Sequence, residues 1–174
     1  MKDLFEKLDS YLDYINMTIM TVMMAVATLL AFINVVLRYV FGTSLTWAGE
    51  LTSYLFIWSA LFGSAYGFKI GLHIGVTAII QAIKPKIAKY ILSFSLIVIF
   101  IYLCLIVKWG YDFVIFNYEL EQVSIDLQMP FWIIYLSVPI SMSIAAYQVL
   151  LKIIKTIMIP SEQFSYDMVM KEQH

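Results

Sequence analysis

Few side chains of this sequence have a type and a spacing that could support chemistry. A transmembrane haem needs two facing histidines within the bilayer, but His174 ends the sequence and leaves only His73. His73 itself is expected to be a polar group at the end of a helix. Cys104 is the single cysteine and lies in an apolar run, which predicts a small core residue rather than a disulfide or zinc ligand. With no Gly-rich phosphate loop and no Ser-His-Asp set, we expect no catalytic residue, no metal and no cofactor.

Two unlike charges flank a short polar turn and are candidates for a structural role. Arg38 ends one apolar segment, and Glu50 begins the next, where a helix N-terminus favours negative charge. An unpaired charge near hydrocarbon is costly, so pairing across the turn is favoured. Tyr54 and Trp58 follow Glu50 on the same helix face. We predict that these four residues form a structural clamp, with contact to another subunit as the alternative.

The elements that must position these residues are apolar helices. The chain is 62% hydrophobic and 13% charged, whereas soluble domains have roughly 25% charged residues. A net charge of -1 without a basic tract gives no sign of nucleic-acid binding. A spanning helix needs about 20 apolar residues. Four runs without Asp, Glu, Lys or Arg have suitable lengths, namely residues 14–37, 51–68, 90–107 and 127–151.

The predicted fold is therefore an all-α membrane protein with four transmembrane helices in a single domain, residues 1–174. An amphipathic helix over residues 2–13 precedes them and lies in the membrane interface or simply leads into the first span. The last span is predicted to begin at Pro130 and to kink at Pro139. The predicted spans cover residues 14–40, 48–70, 88–109 and 128–155.

Basic residues predict the orientation of these spans. Of the eleven Lys and Arg residues, only Arg38 and Lys108 lie outside the N-terminus, the 69–89 loop and the C-terminal tail. Both termini are therefore predicted to be cytoplasmic. The 38–50 turn and an acidic loop over residues 108–126 are predicted to face outward.

Small residues recur every fourth position along the second apolar segment. On a helix this spacing forms a strip that lets two helices approach closely in lipid. Packing within this subunit and docking of a partner subunit both fit the strip, whose members are Ser59, Gly63, Gly67, Gly71 and Gly75.

An ordered set of short motifs covers about residues 15–155. The motifs are Arg38-Tyr39-Val40-Phe41, Trp47 with Glu50, Trp58, Gly63-Ser64-Ala65, Lys69, His73-Ile74, Pro130-Phe131-Trp132, and Tyr135 to Pro139. Together with four spans and both ends inside, this set resembles the small membrane subunit (Q, or DctQ-type) of tripartite ATP-independent periplasmic (TRAP) transporters. Gly49 departs from the pattern, since a second acidic residue is often found there.

The resemblance implies partners and a function. Family members bind a large multi-spanning (M-type) subunit that moves substrate and is driven by sodium. A periplasmic (P-type) binding protein delivers an organic acid, such as a C4-dicarboxylate or a sialic acid. The expected role is a non-catalytic scaffold in the lipids of the bacterial inner membrane, with Glu119, Glu121 and Asp126 as candidate contacts to the binding protein. An accessory or cofactor-bearing subunit of another membrane complex, and a free-standing small transporter, are the alternatives.

Overall fold

The computed structural model describes residues 2–70, 83 and 85–159, with side chains from residue 10 onward. Within these residues the structure is helical, apart from one isolated bridge between Val123 and Pro130. The predicted all-α class is therefore confirmed for this part of the chain. The helices are α1 (Lys2–Val40), α2 (Thr46–Ile70), α3 (Pro85–Glu119), α4 (Phe131–Tyr135) and α5 (Ser137–Met158).

Within the described residues, three stretches are long and apolar enough to cross a membrane. They are Ser10–Val40 in α1, Pro85–Glu119 in α3, and Phe131–Met158, which comprises α4 and α5. The remaining predicted span corresponds to α2, which has 25 residues. Serine, threonine, glycine and tyrosine residues interrupt its apolar sequence and lower its hydropathy, so its crossing of the membrane stays a prediction.

The first helix is continuous where the sequence predicted two elements. No glycine or proline occurs between Lys2 and Val40, so nothing in the backbone ends the helix near residue 13. Its 39 residues extend about 58 Å at 1.5 Å per residue, about twice the roughly 30 Å hydrocarbon core of a bilayer. Its last residue is Val40, and Gly42 follows with a φ of 66°, which allows the Thr43 N–H to reach the Leu37 carbonyl at 3.1 Å.

The third helix is longer than the sequence predicted. It continues through Lys108 to Glu119, so the predicted 108–126 loop is shortened to residues 120–130. Exposed charged side chains do not interrupt backbone hydrogen bonding, and buried Asn117 stays on the helix by donating to the Phe113 carbonyl at 2.8 Å. The prediction that Cys104 lies in the core was wrong, because its side chain is exposed on α3.

Two prolines shape the last membrane stretch, as predicted. Pro130 is the N-cap of α4, so the helix begins at Phe131, one position after the predicted start. Pro139 lacks the N–H that would bond to the carbonyl of Tyr135, and α4 ends at Tyr135. The Ser137 hydroxyl donates to the Ile134 carbonyl at 2.6 Å and so satisfies a carbonyl beside the interruption.

The buried core lies among α2, α3 and α5, and α1 packs along α2. From Ser10 onward, Asn16 and Ala27 are the only buried side chains of α1. The first helix is therefore attached to the bundle along one side. The core is formed chiefly by Ala65, Leu92, Leu96, Leu103, Met142, Ala145 and Val149.

Candidate functional site

Long-range polar contacts between the helices gather toward the two ends of the bundle. The turn end contains the 41–45 turn between α1 and α2 and the 120–130 loop between α3 and α4. The terminal end contains residues 10–16 of α1, 68–70 of α2, 85–89 of α3 and 148–159 of α5. Each end is held by its own set of contacts.

At the turn end, the carboxylate of Glu50 accepts three consecutive backbone hydrogen bonds from the 120–130 loop. The Ile125 N–H lies 3.1 Å from Oε1, and the N–H groups of Asp126 and Leu127 lie 3.2 and 3.0 Å from Oε2. Successive N–H groups aimed at one point form a concave site for an anion. Hydrogen bonds to a charged acceptor are stronger than neutral ones. Glu50 therefore fastens the loop to the first turns of α2.

The loop is folded so that these three N–H groups face Glu50. Ser124 is fully buried, with its N–H donating to the Met129 carbonyl at 2.9 Å and its hydroxyl accepting from the Met129 N–H at 3.2 Å. The Phe131 N–H closes the base of the loop by donating to the Gln122 carbonyl at 3.0 Å. The backbone N–H groups of residues 125–127 thus remain available to donate to the Glu50 carboxylate.

The predicted pairing of Arg38 with Glu50 is not formed in the described residues. Arg38 is exposed, and the Glu50 carboxylate is taken up by the loop. The α1–α2 turn is held instead by Asn34, whose Oδ1 accepts from the Leu45 N–H at 3.0 Å. Backbone N–H groups that lie far away in the chain cannot be recognised as partners from the sequence. Side-chain charge alone therefore predicted the wrong partner for Glu50.

The remaining members of the predicted clamp lie further along α2. Tyr54 is half-buried. Trp58 stacks on Phe62, with ring centroids 5.7 Å apart and planes inclined by 11°. Trp58 therefore takes part in packing along α2, and its ring does not serve the Glu50 contact.

The described beginning of the small-residue strip packs within this subunit. The Ser59 hydroxyl donates to the Met20 carbonyl at 2.8 Å. A Cβ added to Gly63 would lie 3.0 Å from the sulfur of Met20. Gly67 lies on α2, whereas Gly71 and Gly75 lie outside the described residues. At Ser59 and Gly63, packing against α1 is thus the alternative that the structure supports.

The candidate acidic contacts all lie at the turn end. Glu119, Glu121 and Asp126 have exposed side chains on the end of α3 and on the 120–130 loop. Asp126 also donates its backbone N–H to Glu50, so the contact that fastens the loop also sets the position of this carboxylate.

At the terminal end, a polar junction joins three helices and was missed by the sequence analysis. Asp13 of α1 forms an ion pair with Lys69 of α2 and accepts from Gln148 Nε2 of α5 at 3.1 Å. Lys152 of α5 donates to the Phe68 carbonyl at 2.8 Å. The available signal was that Gln148 and Lys152 lie four residues apart, on one face of a helix. In the sequence analysis Lys152 served only to predict the orientation, and Lys69 served for this and as one of the family motifs.

A lysine of α3 completes the terminal end. Lys89 Nζ donates to the carbonyls of Ile157 and Ile159 at 3.2 and 2.8 Å. These carbonyls belong to the end of α5, where helices leave acceptors unsatisfied and favour positive charge. The contact therefore ties the start of α3 to the end of α5.

Long apolar helices with polar ties near their ends define a multi-pass membrane protein. Residues 27–158 match the family described as tripartite ATP-independent periplasmic transporters, DctQ component. This match covers more than half of the chain, and the chain belongs to that family. The family is that of the small membrane subunit type of TRAP transporters.

Two curated relatives carry the same family name. The chain is 32% identical over 109 residues to the C4-dicarboxylate TRAP transporter small permease protein DctQ of Rhodobacter capsulatus, covering 63% of this chain and 48% of the relative. It is also 32% identical over 109 residues to the protein of that name from Vibrio cholerae serotype O1, covering 62% of this chain and 47% of the relative. The chain thus spans about half the length of the curated relatives it matches.

The three N–H groups held by Glu50 give a direct test of the turn-end contact. In Glu50→Gln, one carboxylate oxygen is replaced by an amide NH₂, which cannot accept from the loop. We expect faster hydrogen exchange at the amides of residues 125–127, measured by mass spectrometry or NMR on detergent-solubilised protein. Amides outside the loop should be unchanged.

Glu121→Gln is the matched control, because it removes the same charge from an exposed side chain of the same loop. Its exchange pattern should be native-like, as should that of Arg38→Ala. Native protection of residues 125–127 in Glu50→Gln would show that the carboxylate does not hold the loop.

The close approach of α1 and α2 predicts a size limit at Gly63. Gly63→Leu should lower stability by about 1–3 kcal/mol through overpacking against Met20. Thermal unfolding in detergent measures this loss. Adding Met20→Ala should restore part of it, because the sulfur nearest the new side chain is then removed.

Gly49→Leu on the same helix is the control, since a Cβ there meets nothing within 4 Å. It should be neutral or slightly stabilising through helix propensity. Equal melting temperatures for Gly63→Leu and Gly49→Leu would contradict the packing of Gly63 against α1.

Proposed function

We propose that this chain is the non-catalytic scaffold subunit of a sodium-coupled, binding-protein-dependent organic-acid uptake transporter. It supports the large multi-spanning subunit that moves substrate. The acid is of the C4-dicarboxylate or sialic acid type, and the two named relatives favour the former. Family membership favours this role over that of an accessory or cofactor-bearing subunit of another membrane complex.

The observation that carries this proposal is the charge-free middle of the bundle. No Asp, Glu, Lys or Arg occurs in residues 14–37, 51–68, 90–107 or 127–151. A carrier for an acid or for sodium usually has ionisable or coordinating groups near mid-membrane. The charged side chains of this chain form their contacts near the two ends of the bundle. There Glu50 binds the 120–130 loop, and the Asp13–Lys69 ion pair joins α1 to α2. A chain without ionisable groups near mid-membrane is suited to support a carrier subunit rather than to bind the transported acid or sodium itself.

Packing supports the inclusion of α2 as a fourth span. It runs antiparallel to α1, with Ser59 beside Met20 and Lys69 beside Asp13. Its 25 residues extend about 37 Å, enough to cross the hydrocarbon core. A helix that follows a spanning helix over such a length shares its depth in the bilayer.

The proposed orientation in the bacterial inner membrane rests on the distribution of basic residues. With both termini inside, the terminal end of the bundle lies at the cytoplasmic surface, where lysines are favoured. The turn end then faces the periplasm. Its exposed carboxylates, those of Glu119, Glu121 and Asp126, are available there to the periplasmic binding protein.

Co-purification tests the scaffold role. The tagged chain, extracted from native membranes in mild detergent, should bring down a large multi-spanning protein in near-equal amount, identified by mass spectrometry. Purified alone in liposomes, the chain should transport no organic acid. Recovery of the chain without such a partner, or uptake by the chain alone, would contradict the scaffold role.

Single-cysteine labelling tests the orientation. In a Cys104→Ser background, Ser44→Cys should react with a membrane-impermeant maleimide added to intact spheroplasts. Gln81→Cys, from the predicted cytoplasmic loop, should react only after the membrane is opened. The reverse pattern would invert the proposed orientation, and reaction of both sites in intact spheroplasts would argue against the crossing of α2.

A further inference from the structure

Asn16 is the fully enclosed polar side chain of α1. It is 0% exposed, yet neither its Nδ2 nor its Oδ1 has a hydrogen-bond partner in the part of the chain that the structure describes. Burying an amide without partners costs free energy, and native proteins almost always satisfy such groups. A partner for both atoms is therefore required.

A second unsatisfied atom belongs to the same junction. Gln148 of α5 is 2% exposed and donates from Nε2 to Asp13, while its Oε1 has no partner among the described residues. Asp13 precedes Asn16 by three residues, so the two side chains share one face of α1. Gln148 therefore reaches across to the face on which Asn16 lies.

The missing partner must both accept and donate hydrogen bonds. It has to accept from Asn16 Nδ2 and to donate to the oxygens of Asn16 and Gln148. A cation would leave Nδ2 unsatisfied and would lie near the ammonium groups of Lys69 and Lys152. An anion could not donate and would lie near Asp13. Water meets all three requirements, and buried waters typically make about three hydrogen bonds.

We infer that Asn16 and Gln148 bind ordered water at the junction of α1, α2 and α5. The water completes the polar junction that Asp13 and Lys69 begin. It adds to the hydrogen bond between Gln148 and Asp13, which already joins the first helix to the last through side chains.

A density map of the full-length chain in its native complex, in lipid nanodiscs at about 2 Å, tests the site directly. We expect a peak within about 3.2 Å of the Asn16 amide, separate from any protein atom. A map that shows the amide bonded to a protein group, without a separate peak, would overturn the proposal.

The stability of Asn16→Leu gives a second test. If the amide is hydrated, leucine displaces the water and leaves Gln148 Oε1 unsatisfied, so the melting temperature falls by about 2–4 °C or more. If the amide is dry, leucine removes an unsatisfied group and the melting temperature rises or stays constant. The second result would overturn the proposal.

Thr28→Leu is the control on the same helix. Thr28 is exposed, and its hydroxyl donates to the carbonyl of Met24 at 2.9 Å, so its replacement strands no other side chain. Exchanging sodium for choline in the buffer distinguishes water from a bound cation. We expect equal melting temperatures in the two buffers, and a sodium-dependent rise that is absent in Asn16→Leu would overturn the assignment to water.

Discussion

In hydrocarbon, each polar group must find its partner inside the protein, and this constraint shapes the whole bundle. Hydroxyl groups along the helices meet it locally by donating to a carbonyl one turn earlier. Most polar groups that do not do so lie toward the helix ends, where other elements or backbone termini supply partners; Ser59, in the middle of α2, instead donates to the Met20 carbonyl of α1. The middle of the bundle is left to apolar packing. The hydroxyls bonded within their own helix belong to Thr28, Ser53, Ser141, Ser143 and Thr156.

The second helix is held at both of its ends. At one end the Glu50 carboxylate receives the 120–130 loop. At the other, Lys69 meets Asp13 of α1, and the Phe68 carbonyl accepts from Lys152 of α5. Between these ties the contact with α1 is made by small groups at Ser59 and Gly63. The long helix that lies outside the three candidate membrane spans is thus the one that connects α1 to the rest of the bundle, which accounts for its polar and small residues.

Local chemistry made the helices and their interruptions predictable, but not the partners of the charges. Charge-free runs located the apolar segments, and the prolines located the interruption of the last one, because a missing N–H acts within one turn. Where α3 would end was less predictable, since Lys108 and Asp112 leave the hydrocarbon without breaking the helix. The partners of Glu50 are backbone N–H groups some 75 residues away, and any sequence offers such donors everywhere. The partners of Asp13 were equally unpredictable, because they come from two other helices.

The one-sided attachment of α1 has a mechanical consequence. A continuous helix about 58 Å long is a stiff rod, and this rod is joined to its neighbour along a single seam. A force on the exposed side of α1 is therefore not spread through the core. It acts instead to rotate α1 about its line of contact with α2. Met20 and Asp13, seven residues apart, are the points at which α2 resists it. Tilting of α1 is therefore coupled first to α2, and through α2 to the loop that Glu50 holds at the far end.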